Sequence, residues 1–342
     1  MQDMCPICEN RTEVLRDNLC GYRKGGSYAV RECASCRVQY VDPLRAEGEI
    51  YDQIYSQAHE VPGYARYLRY AEEVLKARDP LEHLARCEDS YYFIRDAIER
   101  SVVGRTPRIL EIGCGLGYLT YALRSAGYEA LGVDISSATI NEAVRTYGPW
   151  YVCSDVAQLS DNYRNFDFVV MTEVIEHIEN PMQLLDAVKA RLAPNGFFLL
   201  TTPNRDLYKR SMVWHTELPP IHLWWFSEIS IYVLGRRCGY NVEFFDFSSW
   251  NRKSQKKANG GPVREMRRDT VPVLDVDGKL YKRCVRGRNI AKLGSLSLLR
   301  RTLALAEGAC GGVRDRWENP RGTIIVSDPS RSKTMGITMQ VR

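Results

Sequence analysis

A glycine-rich turn, strand-ending carboxylates, a Glu-x-x-Glu-His cluster and two Cys-x-x-Cys pairs are the parts of this 342-residue chain whose types and spacing can do chemistry. The turn is Gly113-Cys114-Gly115-Leu116-Gly117, entered through the apolar run Ile109-Leu110-Glu111-Ile112. Glycines directly after a strand let the backbone approach a ligand closely. A nicotinamide-type fingerprint would put its third glycine one place later, where Tyr118 stands. A second run, Leu131-Gly132-Val133, ends in Asp134 and Ile135, where an acid would accept both hydroxyls of an adenosine ribose. A third ends in Cys153-Ser154-Asp155-Val156. Asp155 would bond an adenine amino group there while Val156 packs beside the ring; the plainer alternative is that Asp155 caps a helix.

Downstream, Thr172 leads into Glu173, Glu176 and His177, which the spacing gathers on one helical turn. His222 lies in the segment Pro219 to Phe226, expected to overhang the same mouth. Three chemistries suit this group. Glu176 with His177 or His222 would supply a general base for a hydroxyl. Glu173, Glu176, His177 and His222 together would hold Mg²⁺ or Mn²⁺ and acidify that hydroxyl through the metal. The bland alternative is a pair of structural histidines. At the amino terminus, Cys5, Cys8, Cys33 and Cys36 offer four thiolates to a tetrahedral structural zinc, with Cys20 as a substitute ligand. A dithiol redox role fits less well, because neither pair lies in a redoxin-like strand-helix pattern.

The elements that must position these groups follow from periodicity. Residues 1–45 have little apolar periodicity and read as a zinc-ribbon-like module. Residues 46–105 read as a helical lead-in, with helices over Tyr64 to Ala77 and Leu81 to Arg100. Residues 106–249 alternate strand-length apolar runs with helical patterns, the mark of repeated strand-helix units. Strands are expected at Arg108 to Ile112, Glu129 to Asp134, Trp150 to Cys153, Phe166 to Met171, Gly196 to Thr201 and, less regularly, Asn241 to Phe247. Helices are expected at Tyr118 to Ser125, Ser137 to Thr146, Pro181 to Arg191 and Phe226 to Cys238. Residues 250–342 form an extension. It contains a polar stretch at Asn251 to Gly261, a turn-rich hairpin at Val271 to Gly278, and a helix at Leu293 to Ala309. One returning strand is expected, at Thr323 to Ser327 or at Gly336 to Val341. The fold class is α/β, a doubly wound, mostly parallel seven-stranded sheet preceded by a ribbon.

Composition is ordinary for a globular chain, with 44% hydrophobic and 26% charged residues. The apolar runs are far shorter than the roughly 20 residues of a membrane span. Polar, cysteine-bearing residues at the start do not read as a signal peptide. Eleven cysteines scattered through a long chain point to a reducing, cytoplasmic setting. The formal charge is +5, part of it collected between Arg252 and Arg288, where a solvated loop is the simpler expectation than a phosphate-binding surface. Trp214, Trp224, Trp225 and the tyrosines between Tyr51 and Tyr92 can stack on a sugar or a base, although core packing accounts for most of them.

The order of these motifs, continued by Phe166-Asp167-Phe168-Val169-Val170-Met171-Thr172-Glu173-Val174-Ile175-Glu176-His177 and Leu192-Ala193-Pro194-Asn195-Gly196, resembles class I S-adenosylmethionine-dependent methyltransferases over roughly Thr106 to Phe247. The resemblance implies that the Gly113 to Gly117 turn holds the methionine portion of the cofactor and Asp134 its ribose. Glu-Val-Ile-Glu-His with a later histidine resembles ubiquinone-biosynthesis O-methyltransferases and, more distantly, small-RNA 2′-O-methyltransferases, where such a motif is associated with a divalent cation. Residues Arg31 to Pro43 resemble the leader of bacterial methyltransferases of sugar, surface-polysaccharide and secondary-metabolite pathways. The acceptor so implied is a small polar molecule, such as a nucleotide-linked or glycan sugar, methylated on oxygen. Two other functions stay open: an RNA methyltransferase that uses the ribbon to bind nucleic acid, and a non-catalytic cofactor-binding module.

Overall fold

The computed structural model describes residues 3–61, 63–101, 104–207, 215–255, 272–281 and 330–342. The helix expected at Leu293 to Ala309, the alternative strand Thr323 to Ser327, Trp214 and most of the basic run after Lys253 lie outside the described residues.

Two sheets organise the chain. The first contains β1 (Thr12–Cys20), β2 (Ser27–Cys33), β3 (Gln39–Asp42) and β9 (Trp224–Trp225) in that spatial order. The second contains β4 (Arg108–Ile112), β5 (Glu129–Asp134), β6 (Tyr151–Cys153), β7 (Phe166–Thr172), β8 (Leu192–Pro203), β10 (Tyr240–Phe244) and β11 (Thr334–Val341). Its order is β10-β11-β8-β7-β4-β5-β6, and the pairings from β8 to β6 are all parallel. Only β11 runs antiparallel, inserted between β8 and β10. The returning strand is therefore the second of the two alternatives, Gly336 to Val341, extended two residues upstream.

Nearly every central strand residue is buried because the sheet is covered on both faces, which is why the strands read as continuous apolar runs. Alternation still sorts the side chains. Leu110, Ile112, Val169, Met171, Phe198 and Leu200 join one cluster with α7 (Pro181–Lys189) and α8 (Glu228–Arg237). Ile109, Phe168, Val170 and Leu199 join the other with α2 (Ala65–Glu73), α4 (Asp89–Ser101), α5 (Tyr118–Ser125) and α6 (Ser137–Tyr147). Helix starts carry side-chain caps: Ser136 on α6, Asn180 on α7, and a reciprocal Ser227–Ser230 pair on α8.

Two expectations need correction, and two helices add to the pattern. The helix expected over Leu81 to Arg100 is two helices, α3 (Pro80–Cys87) and α4, because Glu88 between them is extended, with φ −134° and ψ 147°. A further helix of the lead-in, α1 (Glu49–Ser56), precedes Tyr64. The polar stretch after Trp250 begins inside a helix, α9 (Ser248–Gln255). The Glu173 to His177 segment is not one regular helical turn: Glu173 has φ 53°, and only Ile175–His177 forms a 3₁₀ turn.

The amino-terminal module is continuous with the rest of the molecule. Cys5, Cys33, Cys36 and Val38 share a core cluster with Leu110, Met171 and Phe226. β3 pairs with β9, and the Val41 N–H donates to the Leu223 carbonyl at 2.9 Å.

Candidate functional site

The Gly113 to Gly117 turn leaves β4 at its carboxyl end and opens α5, so a strand end and a helix start meet there as the sequence required. Its glycines serve different ends. A Cβ on Gly113, which has φ 73°, would lie 2.5 Å from Val174 Cγ2, so this glycine lets the turn pack under the Glu173 to His177 segment. A Cβ on Gly115 would stand in open space, with only the Tyr55 hydroxyl at 3.9 Å, and its φ is +49°. Gly115 thus leaves bare backbone beside unfilled space, which is what a ligand cradle requires.

Asp134, at the end of β5, braces the turn. Its Oδ2 accepts from the Gly115 N–H and its Oδ1 from the Ser136 N–H, each at 2.9 Å. Each oxygen retains capacity to accept a further hydrogen bond. Ile135 beside it is 75% exposed, a large apolar side chain free to cover an adenosine face. Asp155 does cap a short helix: Oδ1 accepts from the Ala157 N–H at 2.7 Å, while Val156 is buried. Glu111 and Cys114 are both buried. Glu111 Oε2 accepts from Thr120 Oγ1 at 2.5 Å, and burial pushes its carboxyl up to about 8. The residues present therefore fit an adenosyl cofactor: open glycine backbone, a ribose-height carboxylate and an exposed apolar side chain lie at adjacent strand ends.

Beyond Thr172, at the end of β7, the geometry brings together Glu176, His177 and His222, whose ligand-type atoms all lie within 4.8 Å of one another. Among the described residues this group does not include Glu173. Of the four candidate cation ligands Glu173 stands apart: its backbone is left-handed and its Oε1 accepts from Thr201 Oγ1 at 3.0 Å. Glu176 is 1% exposed; its Oε2 accepts from Thr202 Oγ1 at 2.9 Å, and burial raises the carboxyl to about 7. Its Oε1 is buried without a hydrogen bond and lies 3.7 Å from His177 Nε2. His177 Nδ1 is 2.6 Å from the Ile221 carbonyl oxygen, and burial lowers the imidazole below its usual range. His222 is pushed further down, first by burial and then by His177, whose ring meets it edge-on at 4.7 Å. Its Nδ1 is also buried without a partner.

The sequence did not single out three groups that surround this centre. The Tyr51 ring lies edge-on to His177 at 6.0 Å, and its hydroxyl donates to the Ile221 carbonyl at 3.4 Å. Tyr55 reaches Gly115. Glu217 is buried, and burial lifts its carboxyl to about 8. The tyrosines were visible as composition, but only the docking of α1 places them. Trp224 and Trp225 are buried, Trp224 stacking on Phe226 at 5.8 Å, so these two are packing residues.

At the ribbon, Cys5 and Cys36 sulfurs are 3.6 Å apart, Cys8 and Cys33 sulfurs 3.4 Å, and all four lie within 4.8 Å of one another. A tetrahedral zinc with bonds of about 2.3 Å separates its sulfurs by just under 4 Å, so the four cysteines can bind zinc with small adjustments. Cys20 is outside this cluster. No helix among the described residues is long and apolar enough to cross a membrane.

Comparison with known proteins agrees with this geometry. A family model described as a methyltransferase domain matches residues 69–244, more than half the chain. The ubiquinone biosynthesis O-methyltransferase of Coxiella burnetii (strain Dugway 5J108-111) is 29% identical over 114 residues, 32% of this chain and 49% of that protein. The mitochondrial ubiquinone biosynthesis O-methyltransferase of Arabidopsis thaliana is 33% identical over 108 residues, 29% of this chain and 33% of that protein. The chain thus spans half or less of the curated relatives it matches. A solved S-adenosylmethionine-dependent methyltransferase from Archaeoglobus fulgidus aligns at TM-score 0.40 and 15% identity, over 73% of this chain and 93% of that one, a likeness too distant to carry weight. With a glycine turn, Asp134 and the Glu176–His177 segment at the carboxyl ends of a sheet ordered β10-β11-β8-β7-β4-β5-β6, the chain belongs to the methyltransferase-domain family.

Proposed function

We propose that the protein methylates a hydroxyl of a small polar acceptor, in the class of nucleotide-linked or glycan sugars, with His177 as the base. The observation that carries this is the 2.6 Å contact between His177 Nδ1 and the Ile221 carbonyl oxygen. A carbonyl only accepts, so Nδ1 holds the proton and Nε2 keeps its lone pair. Burial keeps the ring neutral at ordinary pH, and Glu176 Oε1 at 3.7 Å is placed to steady the imidazolium once a proton arrives. Bound S-adenosylmethionine supplies a sulfonium methyl for in-line displacement, which leaves the protein to position the acceptor and take its proton. In this reading the Gly113, Cys114, Gly115 and Gly117 backbone, Asp134, Ile135, Asp155, Val156 and Thr172 hold the cofactor, while Glu111, buried and bonded to Thr120, stays in the core below the turn. The relatives named as O-methyltransferases support oxygen as the accepting atom. Functionally the chain divides into a ribbon (1–45), a helical cover (46–105), the cofactor-binding core (106–249) and an extension (250–342).

A second reading has its own support. Glu176 Oε1 and His222 Nδ1 are both buried without hydrogen bonds, and together with His177 they would suit a divalent cation such as Mg²⁺ or Mn²⁺.

The test is a screen of nucleotide sugars and stem-loop RNAs with a labelled methyl donor, run on the wild type and His177→Ala, with and without a chelator. The expected result is label in the sugars and a loss of about 10²-fold or more in turnover for the variant at unchanged donor affinity. Label confined to RNA would overturn the acceptor, and full turnover by His177→Ala would overturn the base. Loss of turnover with chelator, restored by Mg²⁺ or Mn²⁺, would favour the second reading.

A further inference from the structure

We propose that Glu73, His83 and Cys87 form a zinc site that fastens helix α2 to helix α3. The three residues come from two elements. Glu73 is the last residue of α2, while His83 and Cys87 stand four apart on α3, where that spacing puts them on one face. Asp79 fixes the start of α3 by accepting from the Glu82 N–H at 2.9 Å, so the face that carries His83 and Cys87 is presented in a set direction.

Their ligand atoms already stand at coordination spacing. His83 Nε2 lies 3.1 Å from Glu73 Oε2 and 3.8 Å from Cys87 Sγ, and all three atoms lie within 4.8 Å of one another. Zinc bonds of about 2.0–2.3 Å in a tetrahedron set nitrogen, oxygen and sulfur ligands roughly 3.3–3.8 Å apart. The four-residue spacing on α3 brings the thiol to the imidazole, and the docking of α2 adds the Glu73 carboxylate to the same point. Arg69, whose Nε is 3.9 Å from Glu73, engages Oε1 and leaves Oε2 to face the imidazole.

The donor set selects the metal. One carboxylate and one thiolate neutralise a divalent ion, and imidazole with thiolate favours zinc over the hard cations Mg²⁺ and Ca²⁺. All three residues are half-buried, so a water can complete the fourth position. On binding, the Cys87 S–H bond breaks, its proton passes to solvent, and a zinc–sulfur bond forms. The site reinforces a contact that already links the two helices: Tyr70 of α2 donates its hydroxyl to Glu88, the residue after Cys87, at 2.9 Å.

The test uses the full chain, stripped of metal and dialysed against micromolar zinc chloride, with bound zinc counted by atomic emission. The wild type should hold one equivalent more than Cys87→Ser and one more than His83→Ala, and Co²⁺ should give a thiolate charge-transfer band that Cys87→Ser weakens. Cys36→Ser, which addresses the amino-terminal cysteines, should keep the α2–α3 equivalent. Equal zinc content in the wild type and in both folded α3 variants, checked by circular dichroism, would overturn the site.

Discussion

At the scale of residues, burial disfavours the charged forms of the site's ionisable groups. Glu111, Glu176 and Glu217 are raised to about 8, 7 and 8, Glu173 is raised as well, and His177 and His222 are lowered, each chiefly because desolvation penalises charge. A base must be unprotonated to act, so activity should fall with acid as His177 takes up a proton. Because its pKa lies below the ordinary 6.5, kcat/KM should show an acid limb with a midpoint under pH 6.5, preceded by a shallower decline near pH 7 as Glu176 takes up a proton and stops steadying the imidazolium. Glu176→Gln should lower kcat and lose the shallower decline while keeping the lower limb. Loss of the lower limb in Glu176→Gln would move the basic role to the carboxylate. The glycine turn, Asp134 and the Glu176–His177 pair were legible from residue type and spacing, because strand-end chemistry is local. Glu173 was misplaced because a left-handed backbone at a glutamate has no sequence signal.

At the scale of elements, the segment bearing His222 is held by structures far away in the chain. Leu218, Ile221 and Trp225 pack with Leu19, Tyr22 and Val30 of the ribbon and with Ile50 and Ile54 of α1. Ser227 Oγ donates to the Cys36 carbonyl at 2.9 Å, and β9 completes the ribbon's sheet. The cysteine module therefore buttresses the segment that carries His222, whereas the glycine turn and Asp134 stand on the other sheet. Cys36→Ser should release zinc from the amino-terminal cluster and lower kcat, with the donor's Kd within about twofold of wild type. Loss of zinc with kcat intact would show that the buttress is dispensable. Comparing both constants by titration calorimetry and steady-state kinetics separates this effect from general unfolding.

At the scale of the whole molecule, a strand from the last residues closes the sheet. β11 enters between β8 and β10, with Met335, Ile337 and Met339 at 3% exposure or less, so the sheet's far edge cannot form until the chain returns from beyond residue 330. Ile337→Ala removes fully buried methyl groups from both neighbours and should cost about 2–5 kcal/mol in urea unfolding. A loss under about 1 kcal/mol would mean that the returning strand contributes little. Two strand-like segments competed for this place in the sequence, since both are short and apolar, and pairing with β8 over Thr334 to Gln340 distinguishes the one that docks.

Order along the chain was enough to determine the strand-helix alternation, the glycine turn, the acids at successive strand ends and the pairing of cysteines, because each depends on neighbours within a few residues. What the tertiary structure alone decided is which distant groups meet: His222 against His177, Tyr51 and Tyr55 over the cleft, the ribbon against β9, and Glu73 against His83 and Cys87. Those meetings depend on how amphipathic faces dock. Hydrophobic burial is non-directional, so the sequence shows that a face must be covered without showing what covers it.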